Sequence, residues 1–356
     1  MNGARLDVTT HLERVSRSFA FCIARLEAPL RDQVGLAYIL CRLLDTIEDA
    51  AWTSPQAQLK SFESFIEIIR STSSSCDLVP SVSEAFADHL MKNTRGVKES
   101  EIKLIEDAPL VFDRLQSFAP DVRSVITSPV VSMAQGMRSY VRRSHAEGGR
   151  LVLRNIADVN RYCFFVAGVV GEILNGLLRI AGLNRGLKIE SSMADGFRFG
   201  LFLQKVNILK DRTGDLLEGR DLVPDVSLVS ASAIDDSECA FRYILAIPLE
   251  FESYRLFCAW SFFLGLASLR HIGRGEKIGR LETVALLAQV ELAIRSDEKL
   301  ARMFGHKREP WVKEFRQAFH AVTKDIAAGS LDTYRELYVG QACDSDIAAG
   351  VNLAGV

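Results

Sequence analysis

The chain has 356 residues, of which 48% are hydrophobic and 25% charged, and its formal net charge is −2. This balance is typical of a globular protein, and the near-neutral charge provides no overall attraction for nucleic acid, so we expect no nucleic-acid partner. The seven cysteines form no Cys-x-x-Cys pair, which favours reduced, packed thiols in a cytoplasmic protein over a disulfide framework. The sequence also lacks a catalytic serine elbow, a phosphate-binding P-loop and a dinucleotide fingerprint.

Helical periodicity dominates the chain from its N-terminus onward. Apolar residues recur at spacings of three and four, strict alternation is scarce, and no proline lies between Pro129 and Pro224. We therefore predict an all-α protein with helices over residues 9–24, 28–50, 55–71, 81–94, 99–116, 120–146, 153–183, 190–217, 235–246, 248–271, 277–294, 310–325 and 330–339. No disordered linker divides the chain, so we expect one domain over residues 1–340 and a tail over 341–356.

The first acidic cluster lies near the end of the second predicted helix. Asp45, Glu48 and Asp49 are spaced so that they share one helix face. Arg42 lies three residues before Asp45 on that face, and Tyr38 lies one turn earlier on the same stripe. Because the surrounding residues are apolar, we expect this cluster to lie close to the core rather than in bulk solvent.

A second acidic cluster lies in the predicted helix 190–217. Asp211 and Asp215 are four residues apart and therefore share a face, again within apolar sequence. The segment 214–225 that follows is polar, contains glycine and proline and carries Arg220. These features predict a loop or lid next to the second cluster.

Together the two clusters predict a metal site. Buried carboxylates cost free energy unless they are paired or bind a metal, and hard oxygen ligands of this kind suit Mg²⁺. If the two helices face each other, bound Mg²⁺ would hold a diphosphate whose departure leaves an allylic cation. The basic residues near the clusters are candidates for stabilising that leaving group: Arg17, Arg42, Lys205, Lys210, Arg212 and Arg220. The alternative for each cluster is a solvated helix face with local ion pairs.

Three further features have a structural and a functional interpretation. Gly168 and Gly171 each cost about 1 kcal/mol relative to alanine inside a helix, so either close helix packing or a ligand near the backbone must offset that cost. An aromatic patch either fills the core or stabilises positive charge through its π faces: Phe257, Trp260, Phe262 and Phe263. The apolar stretch 162–183 carries charged and polar residues, so we predict a buried helix rather than a membrane span.

Several ordered segments resemble the squalene and phytoene synthase family, and most of all its bacterial squalene synthase members. They extend over most of the chain and comprise residues 16–19, 45–49, 162–171, 204–215, 255–259 and 277–280. The run Asp45-Thr46-Ile47-Glu48-Asp49 is similar to the first metal motif of the family. Residues 162–171 resemble the family signature Tyr-Cys-x-x-Val-Ala-Gly-x-Val-Gly, and residues 204–215 resemble its second metal motif.

The resemblance implies a single-domain, all-α isoprenoid-synthase bundle around a central cavity. It implies a prenyltransferase that joins two farnesyl diphosphates head to head into presqualene diphosphate, and then rearranges and reduces it to squalene with Mg²⁺ and NADPH. By position, the residues that would bind Mg²⁺ are Asp45, Glu48, Asp49, Asn207, Asp211 and Asp215. The residues that would bind diphosphate are Ser16, Arg17, Tyr38, Arg42, Lys210 and Arg220.

The same resemblance assigns roles to four other residues. Tyr162 would assist the first half-reaction, and Phe257 would line the pocket that holds the carbocation. Lys277 and Arg280 would contact the phosphates of NADPH. The resemblance further implies a monomeric cytoplasmic enzyme whose contact with the inner face of the membrane is transient and serves product release.

Two alternatives remain open at this stage. A related head-to-head synthase would produce presqualene diphosphate, dehydrosqualene or phytoene without a reduction. A non-catalytic member would bind isoprenoids as an assembly factor, although such a role would not need two intact acidic clusters.

Overall fold

The computed structural model describes residues 6–73, 80–182, 189–272 and 278–314. Its helices are α1 (Val8–Val15), α2 (Arg17–Ile23), α3 (Leu30–Asp49), α4 (Pro55–Ser73), α5 (Pro80–Asn93), α6 (Glu99–Glu106), α7 (Ala108–Gln116), α8 (Pro120–Ala146), α9 (Ile156–Cys163), α10 (Val170–Ile180), α11 (Ile189–Leu217), α12 (Val226–Ala246), α13 (Glu252–Ile272), α14 (Arg280–Ala293) and α15 (Asp297–Glu314). A π-helical turn, Phe164–Gly168, joins α9 to α10, and a 3-10 turn, Leu249–Phe251, precedes α13. The prediction of an all-α protein is confirmed.

Two pairs of very short strands connect the helices. β1 (Ala51–Trp52) pairs antiparallel with β2 (Thr94–Arg95). β3 (Leu151–Val152) pairs in parallel with β4 (Arg220–Asp221), so that Leu151 lies opposite Arg220. The second pair joins the segment after α8 to the segment after α11, two parts of the chain that are far apart in sequence.

Helix-capping residues explain where the observed helices depart from the predicted ones. The single helix predicted over 9–24 is wrong, because Ser16 adopts an extended conformation and its Oγ accepts a hydrogen bond from the backbone N–H of Phe19 at 3.4 Å. Residues 99–116 likewise form two helices, separated at Asp107. α12 begins at Val226 rather than at 235, because the Asp225 carboxylate caps it.

The end of α11 corrects the prediction of a loop over 214–225. Helix α11 continues through Gly214 to Leu217, and β4 follows it, so only part of this segment is irregular. Gly219 has a φ of +80°, a conformation that L side chains rarely adopt, and this residue makes the turn between helix and strand.

The prediction for the C-terminal part of the chain missed most of α15. This helix is rich in charge, but Leu300 is fully buried and Phe304 stacks on Phe241 of α12 with 4.4 Å between the ring centroids. The predicted helix 310–325 overlaps only the end of α15, and its remainder lies outside the described residues. The predicted helix 330–339 and the tail 341–356 also lie outside them, so the domain boundaries stay predictions.

Helix α3 shows how the sequence pattern positions the first acidic cluster. Its apolar stripe is completely buried and comprises Leu36, Ile39, Leu40, Leu43, Leu44 and Ile47. The helix packs against α1, α4, α7, α8 and α10. Burial of this stripe fixes the rotation of α3 about its axis and therefore directs Asp45, Glu48 and Asp49 to the edge of the core.

Glycines bring α10 and α11 into backbone contact. A Cβ on Gly171 would lie 2.5 Å from the carbonyl carbon of Gly196, and a Cβ on Gly200 would lie 2.7 Å from the Cα of Gly168. Neither distance is compatible with a side chain. Close backbone packing therefore explains the glycine at position 171. At position 168 a Cβ would lie 2.8 Å from the side-chain Cδ1 of Leu201, so the choice between packing and a ligand stays open there.

The stretch Ile156–Ile180 is long and apolar enough to cross a membrane by length and composition alone. It comprises α9, the π-helical turn and α10, and it packs against α8 and α11. Such packing is compatible with the buried helix predicted over residues 162–183, and the choice between a core helix and a membrane span stays a prediction.

Candidate functional site

The first acidic cluster lies on α3 beside Arg42. The Arg42 guanidinium donates to Asp45 Oδ2 at 3.3 Å and also to the carboxylate of Glu101 on α6. Desolvation raises the pKa of Asp45 to about 7, against the lowering effect of Arg42. Desolvation and the nearby carboxylates of Asp49 and Asp45 raise the pKa of Glu48 well above its usual range. In the absence of a bound cation, burial therefore disfavours the charged form of these two carboxyls.

The second acidic cluster lies on α11. Lys210 Nζ donates to Asn207 Oδ1 at 2.8 Å and lies 3.2 Å from Asp211 Oδ2. One turn later, Asp215 is largely buried, and desolvation raises the pKa of its carboxyl although Arg220 lowers it. Asn207, Lys210, Asp211 and Asp215 thus form a continuous polar edge along the C-terminal half of α11.

Arg220 joins the two clusters. Its Nη2 donates to Asp215 Oδ1 at 2.8 Å, and its Nη1 donates to Asp49 Oδ1. It also pairs with Glu218 at 2.8 Å. One guanidinium therefore contacts a carboxylate of α3 and a carboxylate of α11, and the structure brings together the acidic helices that the sequence pairs only by hypothesis.

Backbone pairing fixes Arg220 at this position. Leu151 donates its N–H to Gly219 O at 3.0 Å, and Leu153 donates to Asp221 O at 2.9 Å, so hydrogen bonds flank Arg220 on both sides. Pairing with β3, which follows α8, thereby fixes the position of the Arg220 backbone relative to α3 and α11. Sequence reasoning gave no sign of this pairing, because two-residue strands are too short for an alternating pattern.

Tyr162 lies beside the first cluster. It is 2% exposed, and its hydroxyl donates to Glu48 Oε1 at 3.5 Å. The ring of Tyr140 meets it edge-on with 5.1 Å between centroids. Burial raises the pKa of the Tyr162 phenol well above its usual value. The structure thus places the hydroxyl of a buried tyrosine at the inner edge of the carboxylates.

The junction of α1 and α2 lies against the same face of α3. Phe19 packs on Tyr38 with 5.5 Å between ring centroids. Burial raises the pKa of Tyr38 to about 12, although the Ser16 side chain is close enough to the phenol to have a lowering effect. Tyr38 is also close enough to Arg42 for their charges to interact, so Ser16, Tyr38 and Arg42 form one polar row. Arg17 begins α2, but its side chain lies outside the described residues.

Two of the basic candidates do not join this row. Lys205 is 0% exposed and donates to Ser232 Oγ at 2.6 Å and to Asp236 of α12. Its assignment to the diphosphate site is therefore wrong, because it points into the α11–α12 interface. Arg212 is exposed on the surface of α11.

Glu101 and Tyr140 are site residues that sequence reasoning missed. Glu101 is the second partner of Arg42, 59 residues away along the chain. Tyr140 supports Tyr162 from α8. Glu101 belongs to an ordinary charged segment and Tyr140 to a long amphipathic helix, so neither carries a local spacing that would have revealed it.

The donor set fits Mg²⁺ shared with a phosphate ligand. Within the described ranges, no three Asp, Glu, His or Cys side chains lie close enough to hold one metal ion together. Mg²⁺ commonly takes only one or two protein carboxylates, together with water and substrate phosphates. The available donors are oxygen atoms, and the raised pKa values of Asp45, Glu48 and Asp215 show a site in which added positive charge would be favourable.

Comparison with known proteins identifies the family. The model of the family described as squalene/phytoene synthase matches residues 12–238, which include both acidic clusters, Tyr162 and Arg220. The chain belongs to the squalene/phytoene synthase family.

Several curated relatives are squalene synthases. That of Eremothecium gossypii is 32% identical over 217 residues, which cover 60% of this chain and 44% of the relative. That of Saccharomyces cerevisiae is 30% identical over 214 residues, which cover 60% of this chain and 44% of the relative. The match therefore spans less than half the length of these curated relatives.

Solved structures support the fold. A complex of TcSQS with a ligand superposes with a TM-score of 0.66 at 22% identity, covering 88% of this chain and 98% of that one. A dehydrosqualene synthase complex superposes with a TM-score of 0.55 at 18% identity, covering 81% and 95%. At these identities the likeness shows the isoprenoid-synthase fold alone.

The remaining predicted residues of this squalene/phytoene synthase chain lie on α13 and around the start of α14. Phe257 is 7% exposed, and its ring lies 5.9 Å from that of Tyr254. Trp260, Phe262 and Phe263 are buried within the core. These rings fill the core, as the structural interpretation expected, and the role of Phe257 stays a prediction.

The start of α14 holds one of the two predicted NADPH contacts. Arg280 is exposed, and Gly279 before it provides no side chain to cap the first N–H groups of the helix. An exposed guanidinium and uncapped N–H groups both favour a phosphate. Lys277, the other predicted contact, lies outside the described residues.

Proposed function

We propose that this chain condenses two farnesyl diphosphates head to head into presqualene diphosphate and reduces that intermediate to squalene with NADPH. The observation that carries the proposal is the contact of Arg220 with both Asp49 of α3 and Asp215 of α11. This contact supports the assignment of the two acidic clusters to one site. Family membership and squalene synthase relatives support the same reaction.

Oxygen donors of both helices would hold the metal: Asp45, Glu48, Asp49, Asn207, Asp211 and Asp215. Mg²⁺, when bound there, supplies positive charge that stabilises the departing diphosphate. The side chains of Arg42, Lys210 and Arg220 already donate hydrogen bonds to carboxylate or amide oxygens of these two helices. When substrate binds, each would donate to a phosphate oxygen instead. The hydroxyl groups of Ser16 and Tyr38 extend this row of donors, and Arg17 is a further diphosphate contact that the family resemblance implies.

Tyr162 and Phe257 act on the isoprenoid end of the substrates in this proposal. The Tyr162 hydroxyl is oriented by Glu48 and shielded from water by burial, so it can hold a proton at a defined position during the first half-reaction. Phe257 presents an aromatic ring, which stabilises positive charge without a nucleophilic atom. Arg280, with Lys277, would contact the NADPH phosphates.

The product with and without NADPH tests the reductive half of the proposal. Purified protein incubated with farnesyl diphosphate and Mg²⁺ is expected to release squalene when NADPH is present and to stop at presqualene diphosphate when it is absent. Mass spectrometry of the extracted lipids distinguishes the two. A product that NADPH leaves unchanged would favour a non-reducing synthase, a reading suggested by the dehydrosqualene synthase structure.

Removal of divalent metal tests the ionisation step. Excess chelator is expected to abolish release of pyrophosphate, and added Mg²⁺ is expected to restore it, because the carboxylates of the two clusters provide only negative charge for the leaving group. Far-ultraviolet circular dichroism recorded in parallel should remain unchanged. Full turnover in chelator would refute metal-assisted ionisation.

A further inference from the structure

A buried ion pair lies directly behind the proposed site. Arg143 of α8 donates through Nη1 to both carboxylate oxygens of Asp158 on α9, at 3.0 and 2.9 Å. Arg143 is 2% exposed and Asp158 9% exposed. Two charges this deeply buried are retained at a desolvation cost, which hydrophobic side chains of similar size would avoid. A positioning role gives a reason for keeping them.

One arm of this pair leads to Arg220. Nη2 of Arg143 donates to the carbonyl oxygen of Val152 in β3, and the Arg154 N–H donates to Asp158 Oδ2 at 3.1 Å. Arg143 therefore anchors the last residue of β3, and Asp158 anchors the backbone of Arg154, two residues after it. Because β3 pairs with β4, whose first residue is Arg220, this anchor sets the place of the guanidinium that spans the two acidic helices.

The other arm leads to Tyr162. The Tyr140 hydroxyl lies 3.4 Å from Asp158 Oδ1 and donates to it, and the Tyr140 ring meets the Tyr162 ring edge-on at 88°. Tyr162 in turn donates to Glu48. Asp158 is thus connected through two aromatic side chains to the first acidic cluster.

We propose that Arg143 and Asp158 are positioning residues, which place Arg220 and Tyr162 against the acidic clusters without touching substrate themselves. The inference rests on the proposed function, since it assigns Arg220 to diphosphate and Tyr162 to the first half-reaction. In this proposal, a single ion pair between α8 and α9 holds both Arg220 and Tyr162 in position.

The first test is a double-mutant cycle between Arg143→Lys and Arg220→Lys. Lysine at 143 keeps the charge but lacks the planar fork that reaches Asp158 and Val152 together. Affinity for inorganic pyrophosphate with Mg²⁺, measured by calorimetry, is expected to fall about 10- to 100-fold in Arg143→Lys. The double variant should bind pyrophosphate no more weakly than Arg220→Lys alone, because Arg143 acts through Arg220.

Tyr140→Phe tests the second arm. It removes only the hydroxyl that contacts Asp158, so pyrophosphate affinity should be unchanged while kcat for presqualene diphosphate formation falls about tenfold. This split between binding and turnover would not result from a general loss of stability. An unchanged kcat in Tyr140→Phe would remove this arm from the proposal.

Arg198→Lys is the matched control. Arg198 pairs with Asp235 and Asp236 of α12, so the variant disturbs a comparable ion pair. It lies thirteen residues before Asp211 on α11, about 20 Å along the helix. Its pyrophosphate affinity should equal that of the parent, even if its thermal midpoint falls as far as that of Arg143→Lys.

The outcomes separate this inference from the proposed function. If the parent binds pyrophosphate but the effects of Arg143→Lys and Arg220→Lys multiply, the positioning role is wrong and the proposed function stands. If Arg143→Lys binds pyrophosphate as tightly as the parent, the positioning role is also wrong. If the parent neither binds pyrophosphate nor converts farnesyl diphosphate, both the proposed function and this inference fall.

Discussion

Asp45→Asn and Asp211→Asn are each expected to lower the turnover of farnesyl diphosphate by about 100-fold or more, because each removes a charged oxygen donor from the site shared by α3 and α11. The folded protein should persist. Desolvation raises the pKa of Asp45 to about 7, which means that the metal-free folded state disfavours the charge that asparagine removes. The measurement is kcat at saturating substrate across a Mg²⁺ titration, with far-ultraviolet circular dichroism of each variant.

Asp32→Asn is the control for this prediction. Asp32 lies in the first turn of the same helix as Asp45, but its side chain is 50% exposed and outside the acidic cluster. It should retain the turnover of the parent. If Asp45→Asn and Asp211→Asn were as active as Asp32→Asn, the enzymatic interpretation would give way to that of an isoprenoid-binding assembly factor.

Gly200→Ala is expected to lower the free energy of unfolding by about 3 kcal/mol, a larger loss than we expect for the other substitutions. The new Cβ would lie 2.7 Å from the Cα of Gly168 and closer still to the carbonyl oxygen of Ala167. Both atoms belong to the backbone of the π-helical turn, which cannot rotate away as a side chain can. Urea denaturation followed by circular dichroism measures the effect.

Gly214→Ala, on the same helix, is expected to stabilise the folded protein rather than destabilise it. Nothing lies within 4 Å of a Cβ at this position, and Gly214 is inside α11. Alanine should therefore raise the free energy of unfolding by about 1 kcal/mol through its higher helix propensity. If the two alanine variants unfolded at the same urea concentration, α11 would not be in the close contact with the π-helical turn described above.

The acidic helices were predictable because their information is local. Asp45, Glu48 and Asp49 share a face by helical spacing, and the apolar stripe of α3 fixes the direction of that face. The cap residues Ser16 and Asp225 also carried local information, and closer attention to capping would have corrected the boundaries of α2 and α12.

The partners of the site residues were not predictable from the sequence. Arg42 bonds Glu101 across 59 residues, and Arg220 bonds Asp49 across 171 residues. Contacts at such separations depend on how helices pack and leave no periodic trace in the chain. Lys205 shows that a local motif can also mislead. It lies within the second metal motif, yet its side chain pairs with Asp236 in the interior.

The π-helical turn Phe164–Gly168 determines the rotational orientation of α10 about its axis relative to α9. Its N–H to C=O bonds skip one residue more than those of an α-helix, as the bond from Val169 N to Phe164 O shows. The wider turn absorbs one extra residue and leaves α10 in nearly the phase of a regular helix, whereas a further inserted residue would rotate α10 by about 100°. Gly171 would then no longer meet Gly196. The π-helical turn thus accommodates one extra residue while Tyr162 and the glycine contacts stay in phase, so a further insertion should be far less tolerable here than in a surface loop.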